Sequence, residues 1–185
     1  MINVTELRPG NYFTFENAIY NVLDVALNKT AMRKMVVKVK VKNVRNGAVT
    51  EMSFLGGTAI EPIRLDKKQM QFLYDSGDML VFMNQTTYDQ IEIAKERLEW
   101  ESKFLKSEVV VEFVTFEDEI LGINLPAKVA LKIVECEPAV RGDTVNKAMK
   151  DALLETGLKV RVPLFISEGE EILVRTDNGL YDGRA

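Results

Sequence analysis

Histidine is absent from the 185-residue chain. Its absence removes the commonest general base, the usual pH switch and the commonest metal ligand. It also excludes a Ser-His-Asp or Cys-His active site, since both need an imidazole to take the nucleophile's proton. Cysteine occurs once, at Cys136, which excludes an intrachain disulfide and any paired-cysteine zinc or redox motif. The phosphate-cradling patterns GxGxxG and GxxxxGK[ST] are missing, so no nucleotide site is indicated. No stretch approaches the roughly 18 apolar residues that read as a membrane span. Met1 to Arg8 contain no basic segment followed by an apolar one. The expectation is a cytoplasmic chain with no membrane association and no cofactor. Carboxylates remain as possible chemistry, clustered at Glu117-Asp118-Glu119 and at Glu168, Glu170 and Glu171. Both clusters have the composition of solvated turns and match no metal-ligand spacing, so a carboxylate metal enzyme is the weakest reading.

Positive charge is scarce overall but unevenly placed. Twenty-four Lys and Arg stand against 28 Asp and Glu, a formal charge of −4. Residues 1–64 hold nine cations and five anions, residues 65–127 six and thirteen, and residues 128–185 nine and ten. Between Val25 and Thr50 there is no acid, but there are seven cations: Lys29, Arg33, Lys34, Lys38, Lys40, Lys42 and Arg45. Such a segment attracts polyanions even on an acidic protein.

The hydrophobic pattern is that of short strands. Val37, Val39 and Val41 alternate with Lys38, Lys40 and Lys42, which predicts a strand with one apolar and one cationic face. Asn46-Gly47 predicts the tight turn after it, with Val49–Phe54 returning. Tyr12–Phe15 and Ile19–Val25 read as strands joined by Glu16-Asn17, and residues 27–35 as a loop carrying Lys29, Arg33 and Lys34. Glu61-Pro62 and Leu125-Pro126 are the expected boundaries. They divide the chain into 1–64, an acidic 65–127, and 128–185. Leu65–Leu73 reads as a short helical turn plus a strand. Ala94–Lys106 is the best helix candidate, with Trp100 and Phe104 an i,i+4 pair taken as packing. Strands are expected at 79–83, 109–116, 120–123, 129–134, 158–165, 172–175 and 180–184, with Pro163 confined to a sheet edge or bulge. The sum is an all-β chain of three small β-barrel domains. The last two are on the scale of OB-type barrels, a common nucleic-acid platform.

Particular residues carry a resemblance. Gly157-Leu158-Lys159-Val160-Arg161-Val162-Pro163-Leu164-Phe165-Ile166, followed by Glu168-Gly169-Glu170 and Ile172, resembles the signature of the bacterial elongation factor P family. Gly142-Asp143-Thr144, the ending 176–184, Phe72-Leu73-Tyr74 with Asp78 and Val81-Phe82-Met83, and residues 121–126 are similar to that family in the same order. The resemblance implies an N-terminal SH3-like (KOW-like) barrel followed by two OB-type barrels, in an L-shaped, tRNA-like arrangement. It implies a monomer that binds the 70S ribosome between the P and E sites, against rRNA. There it would hold the P-site peptidyl-tRNA in a reactive geometry and relieve stalling at consecutive prolines. No covalent catalysis is implied, so the missing histidine is no obstacle.

Site residues follow from the same resemblance. In many members the N-terminal loop reads Pro-Gly-Lys-Gly with a modified lysine, and in others a rhamnosylated arginine stands there. Counting from Tyr20 without a gap puts Met32 at that position, and methionine accepts neither group. Lys29, Met32, Arg33 and Lys34 are the expected contacts to the CCA end, with Arg33 or Lys34 reaching it. Gly142, Asp143 and Thr144 match the loop that approaches the E-site mRNA codon. Tyr181 and Arg184 match positions near the P-site tRNA body. Lys38, Lys40 and Lys42 are read from the residues themselves as a tRNA-backbone face. Two further readings stay open, an elongation factor P-like paralogue with another ribosomal role and a generic single-stranded RNA-binding OB protein.

Overall fold

The computed structural model describes residues 1–29, 35–138 and 149–185. Met32, Arg33, Lys34, Gly142, Asp143 and Thr144 lie outside the described residues. The regular structure is almost entirely strand, in three sheets. The first contains β1 (Ile2–Asn3), β2 (Tyr12–Phe15), β3 (Ala18–Asn28), β4 (Val36–Asn43), β5 (Val49–Leu55) and β6 (Ala59–Ile63), in the order β1-β6-β2-β3-β4-β5. The second contains β7 (Asp66–Asp75), β8 (Met79–Asn84), β9 (Gln90–Ala94), β10 (Val110–Phe116) and β11 (Glu119–Asn124), ordered β11-β10-β7-β8-β9. The third contains β12 (Lys128–Cys136), β13 (Met149–Leu154), β14 (Lys159–Pro163), β15 (Glu171–Arg175) and β16 (Tyr181–Arg184), ordered β14-β13-β12-β15-β16. The chain divides into two compact units, Met1–Asp66 with Val114–Leu121, and Lys67–Phe113 with Gly122–Ala185.

In the first unit the alternating sequence becomes alternating burial. Val37, Val39 and Val41 are fully buried and pack with Phe13, Val22, Phe54 and Ile60. Each buried valine stabilises the fold by roughly 1.5–3 kcal/mol. The β2–β3 turn places Glu16 and Asn17 at φ 47° and 62°, the pair of left-handed residues that matches strand twist in a two-residue hairpin. The β4–β5 connection is longer than the Asn-Gly pair alone. The Asn43 side chain accepts from the N–H groups of Arg45 and Asn46, and Gly47 closes the turn at φ 74°. The strand expected at Ile19–Val25 extends to Asn28, so Leu27 and Asn28 belong to β3 and not to the loop. A register shift between Val22 and Asp24 lets Val22 and Val25, three residues apart, both reach the core.

The second unit holds two cores. Phe82 lies edge-on to Phe72 and Phe113, with ring centroids 5.4 and 5.0 Å apart. Leu131, Ile133, Leu154, Val162, Ile172 and Val174 form the other core. The single helix expected over Ala94–Lys106 is not there. Ala94 ends β9, and two 3₁₀ turns follow, Lys95–Leu98 and Glu101–Phe104. Tertiary contacts override the helical pattern here. Phe104 is buried among the residues of the third sheet, and the Trp100 indole N–H donates to the Thr176 carbonyl at 2.9 Å. Lys103 sits over the Trp100 ring. The helical turn expected near Leu65 is also replaced, by β7 beginning at Asp66. Strands β1, β6, β9 and β13 were not expected from the pattern. Pro163 does end an edge strand, β14. Among the described residues no helix is long and apolar enough to cross a membrane.

Candidate nucleic-acid interface

Strand β4 turns its charge outward because its valines are drawn inward. Lys38, Lys40 and Lys42 are exposed on the face opposite the buried valines. Lys29, also exposed, directly follows β3. The row is less one-sided than the acid-free stretch of sequence implies. Lys40 stands between Asp24 of β3 and Glu51 of β5 in the strand register. Lys38 is ion-paired to Glu51 at 3.3 Å, with both side chains about half exposed. Such an exposed pair contributes at most about 1 kcal/mol and weakens in salt. Among the described residues Lys40 and Lys42 have no ion pair. Lys40 and Lys42 are therefore the cations most open to an incoming polyanion.

Sequence reasoning missed these acid partners, although one signal was available. Counting outward from the Asn46-Gly47 turn already puts Glu51 on the lysine face, opposite Lys42, and the longer connection moves it by two residues to Lys40. Arg45, one of the seven cations in the run, is committed elsewhere. Its Nε and Nη2 donate to the two Glu119 carboxylate oxygens at 3.0 and 2.8 Å, and its Nη1 donates to the Asn17 carbonyl. The Glu119 hydrogen bonds, then its charge, raise the Arg45 pKa above its ordinary value.

The base of the β3–β4 hairpin is pinned by a close approach. The Gly56 N–H donates to the Met35 carbonyl at 2.6 Å. A Cβ at Gly56 would lie 3.0 Å from Met35 Cβ and 3.2 Å from its carbonyl oxygen. Glycine lets the end of β5 sit against Met35 without either having to shift.

The C-terminal candidates lie on β16, the edge of the third sheet. Tyr181 is half-buried against the third-sheet core. Arg184 is exposed, with its Nε 3.2 Å from Glu170 Oε2 and its guanidinium carbon 5.0 Å from the centre of the Phe165 ring. Phe165, itself 63% exposed, was not singled out from the sequence. Its signal there was an aromatic beside Pro163 with no apolar partner at strand spacing.

The second acid cluster serves local structure, and Glu119 of the first holds Arg45. Glu168 accepts from the Cys136 N–H, Glu170 from the Ser167 N–H, and Glu171 pairs with Lys106 at 3.2 Å. Among the described residues no three His, Cys, Asp or Glu side chains group as a metal ion would require.

Comparison with known proteins gives one family over the whole length. Residues 3–60 match the elongation factor P KOW-like domain, 65–123 the elongation factor P OB domain, and 129–184 the elongation factor P C-terminal domain. Elongation factor P of Mycoplasma mycoides subsp. mycoides SC is 45% identical over 184 residues, with all of both chains covered. That of Metamycoplasma arthritidis is 48% identical over 185 residues, again with full coverage of both. Among solved structures, eukaryotic translation initiation factor 5A from Methanococcus jannaschii has a TM-score of 0.52 at 19% identity. The likeness covers 67% of this chain and 93% of that one and concerns the fold alone. With an all-β fold that joins a KOW-like and an OB domain, and relatives alike from end to end, the chain belongs to the elongation factor P family of translation factors.

Proposed function

We propose that this protein binds the 70S ribosome between the P and E sites, stabilises the P-site peptidyl-tRNA and promotes peptide-bond formation at consecutive prolines. The observation that carries the reading is the lysine row of β4, held on one face by three buried valines on the other. It runs beside the hairpin whose tip, with Lys29, Met32, Arg33 and Lys34, would reach the CCA end. Lys38, Lys40 and Lys42 would lie on tRNA phosphates, with Lys40 and Lys42 contributing most because Lys38 already has a partner. Tyr181 and Arg184 would face the tRNA body, and Gly142, Asp143 and Thr144 the E-site codon. Three domains, 1–64, 65–127 and 128–185, would act together as a cytoplasmic monomer. The protein would work by positioning alone, since holding two reactants in a near-attack geometry lowers the barrier without any catalytic side chain.

The test is a reconstituted translation system reading a Pro-Pro-Pro reporter. The factor should restore full-length product, and normal ribosome binding with no restoration would sink the reading. A paralogue with another ribosomal role is favoured by one observation, Met32 at the tip position that other members modify. Rescue specific to proline runs separates the two. Intact mass should equal the unmodified sequence; an added mass mapped to Arg33 or Lys34 would overturn the unmodified tip.

A further inference from the structure

Arg184 is held from two sides. Its Nε is ion-paired to Glu170 Oε2 at 3.2 Å, and its guanidinium carbon lies over the Phe165 ring, 5.0 Å from the ring centre. Glu170 is in turn fixed by the Ser167 N–H, which donates to its Oε1 at 3.1 Å. Among the described residues the two terminal amino groups of Arg184 donate no hydrogen bond, and its one ion-pair partner is Glu170. The neighbouring acids are already matched, Asp182 with Lys128 at 2.6 Å and Glu171 with Lys106 at 3.2 Å. A guanidinium paired at Nε and seated over an aromatic ring keeps its Nη1–Nη2 edge as a planar two-donor fork. That fork fits two oxygens of one phosphate.

We propose that Phe165 and Glu170 are positioning residues that hold the Arg184 guanidinium so that its outer edge receives one backbone phosphate of RNA. The proposal rests on the reading that Arg184 faces tRNA, and it adds what prepares that arginine. A free arginine loses side-chain entropy when it binds; one already ion-paired and seated over a ring loses less. Phe165 is an exposed aromatic on a turn, where it contributes little to the core. Its removal should therefore act on binding and leave folding intact.

The test uses the full chain and 70S ribosomes carrying a P-site tRNA, with affinity measured across potassium chloride concentrations. Arg184→Ala should weaken binding about tenfold and make the salt slope shallower by about one. Phe165→Leu, which keeps apolar bulk but removes the π face, should weaken it about two- to fivefold. Phe165→Tyr should bind like the parent. In an Arg184→Ala background, Phe165→Leu should have no further effect. If the Phe165→Leu loss persists in that background, Phe165 does not act through Arg184 and the proposal fails while the tRNA reading stands. If Arg184→Ala leaves affinity and slope unchanged, Arg184 touches no phosphate, and the C-terminal contact and this proposal fall together. Glu170→Gln keeps an acceptor for Nε but removes a negative charge, so it should bind at least as tightly as the parent. Glu170→Ala, which removes that acceptor, should weaken binding about two- to fivefold in the parent and not at all in the Arg184→Ala background; parent-like binding would remove Glu170 from the assigned role.

Discussion

The lysine row of β4 and the arginine at the end of β16 present positive charge in opposite ways. The row sets three flexible side chains on one strand face, and its orientation comes from burial of the alternate valines. Arg184 is a single cation on an edge strand, oriented by an aromatic ring and a carboxylate. The row gives charge density, which strengthens binding to any polyanion and fades with salt. The arginine gives a fixed direction, which favours one phosphate at one place. The acids beside each act differently as well. Glu51 takes Lys38 out of the row, whereas Glu170 leaves the outer edge of Arg184 open. Running charge along the sequence therefore overstates the first site and overlooks the second.

The largest expected effect tests whether the row or the tip beyond it governs activity. Arg33→Ala should reduce Pro-Pro-Pro rescue by at least about tenfold, because a misplaced reacting group is costly. Lys42→Ala should cost less, since a backbone lysine supplies mainly salt-dependent affinity. Equal or reversed losses in the reporter assay would place the decisive contact on the strand face. Next comes the stem that carries the tip. Gly56→Ala forces a Cβ to 3.0 Å from Met35 Cβ, and overpacking of this kind typically destabilises by about 1–3 kcal/mol. Urea unfolding should detect that loss, and rescue should fall with ribosome affinity largely kept. Unchanged stability and rescue would mean that the stem is free to shift.

A finer test separates lysines within the row. Lys40→Gln should weaken ribosome binding about two- to threefold at low salt, and Lys38→Gln should do less. In a Glu51→Gln background Lys38 is released, so Lys38→Gln should then match Lys40→Gln. If the two lysines are already equal in the parent, the Glu51 pair has no influence on the row.

How much of this was legible follows from which forces were local. The β4 face and the Glu16-Asn17 turn rest on period-two burial and on backbone conformation, both written in adjacent residues. The gap between Val22 and Val25 was also visible, and it marks the register shift that turns Asp24 toward Lys40. The helix expected over Ala94–Lys106 was not realised because its apolar residues serve a distant sheet. Phe104 belongs to the third-sheet core and Trp100 is anchored on Thr176, so the backbone turns in two short 3₁₀ pieces. Strand β13 escaped notice because its inward positions include Lys150, only 8% exposed, between the methionine and the alanine of the same strand. The Arg184 clamp could not be read at all, since Phe165, Glu170 and Arg184 meet only through the fold of the third sheet. The tip residues Met32, Arg33 and Lys34 and the loop residues Gly142, Asp143 and Thr144 remain sequence expectations.

The smallest expected effect concerns the turn that delivers β16. Asp177 accepts from Arg175 through both carboxylate oxygens, at 3.2 and 2.6 Å. That hydrogen bonding, opposed by some desolvation, holds the Asp177 carboxyl below the usual carboxylate range. A depressed folded-state pKa adds stability that is fully present above the unfolded value, about 3.9 for aspartate, and is lost as pH falls through the folded value. Asp177→Asn should therefore lower the thermal midpoint slightly at pH 7, and the difference should close as pH drops below about 4. Both side chains are about half exposed, so salt should shrink the difference too. A gap that persists unchanged at low pH would assign the loss to the turn's shape and not to its charge. The presentation of Arg184 would then depend on the Gly179 turn geometry, where a Cβ would lie 3.2 Å from the Trp100 ring, more than on the ion pair beside it.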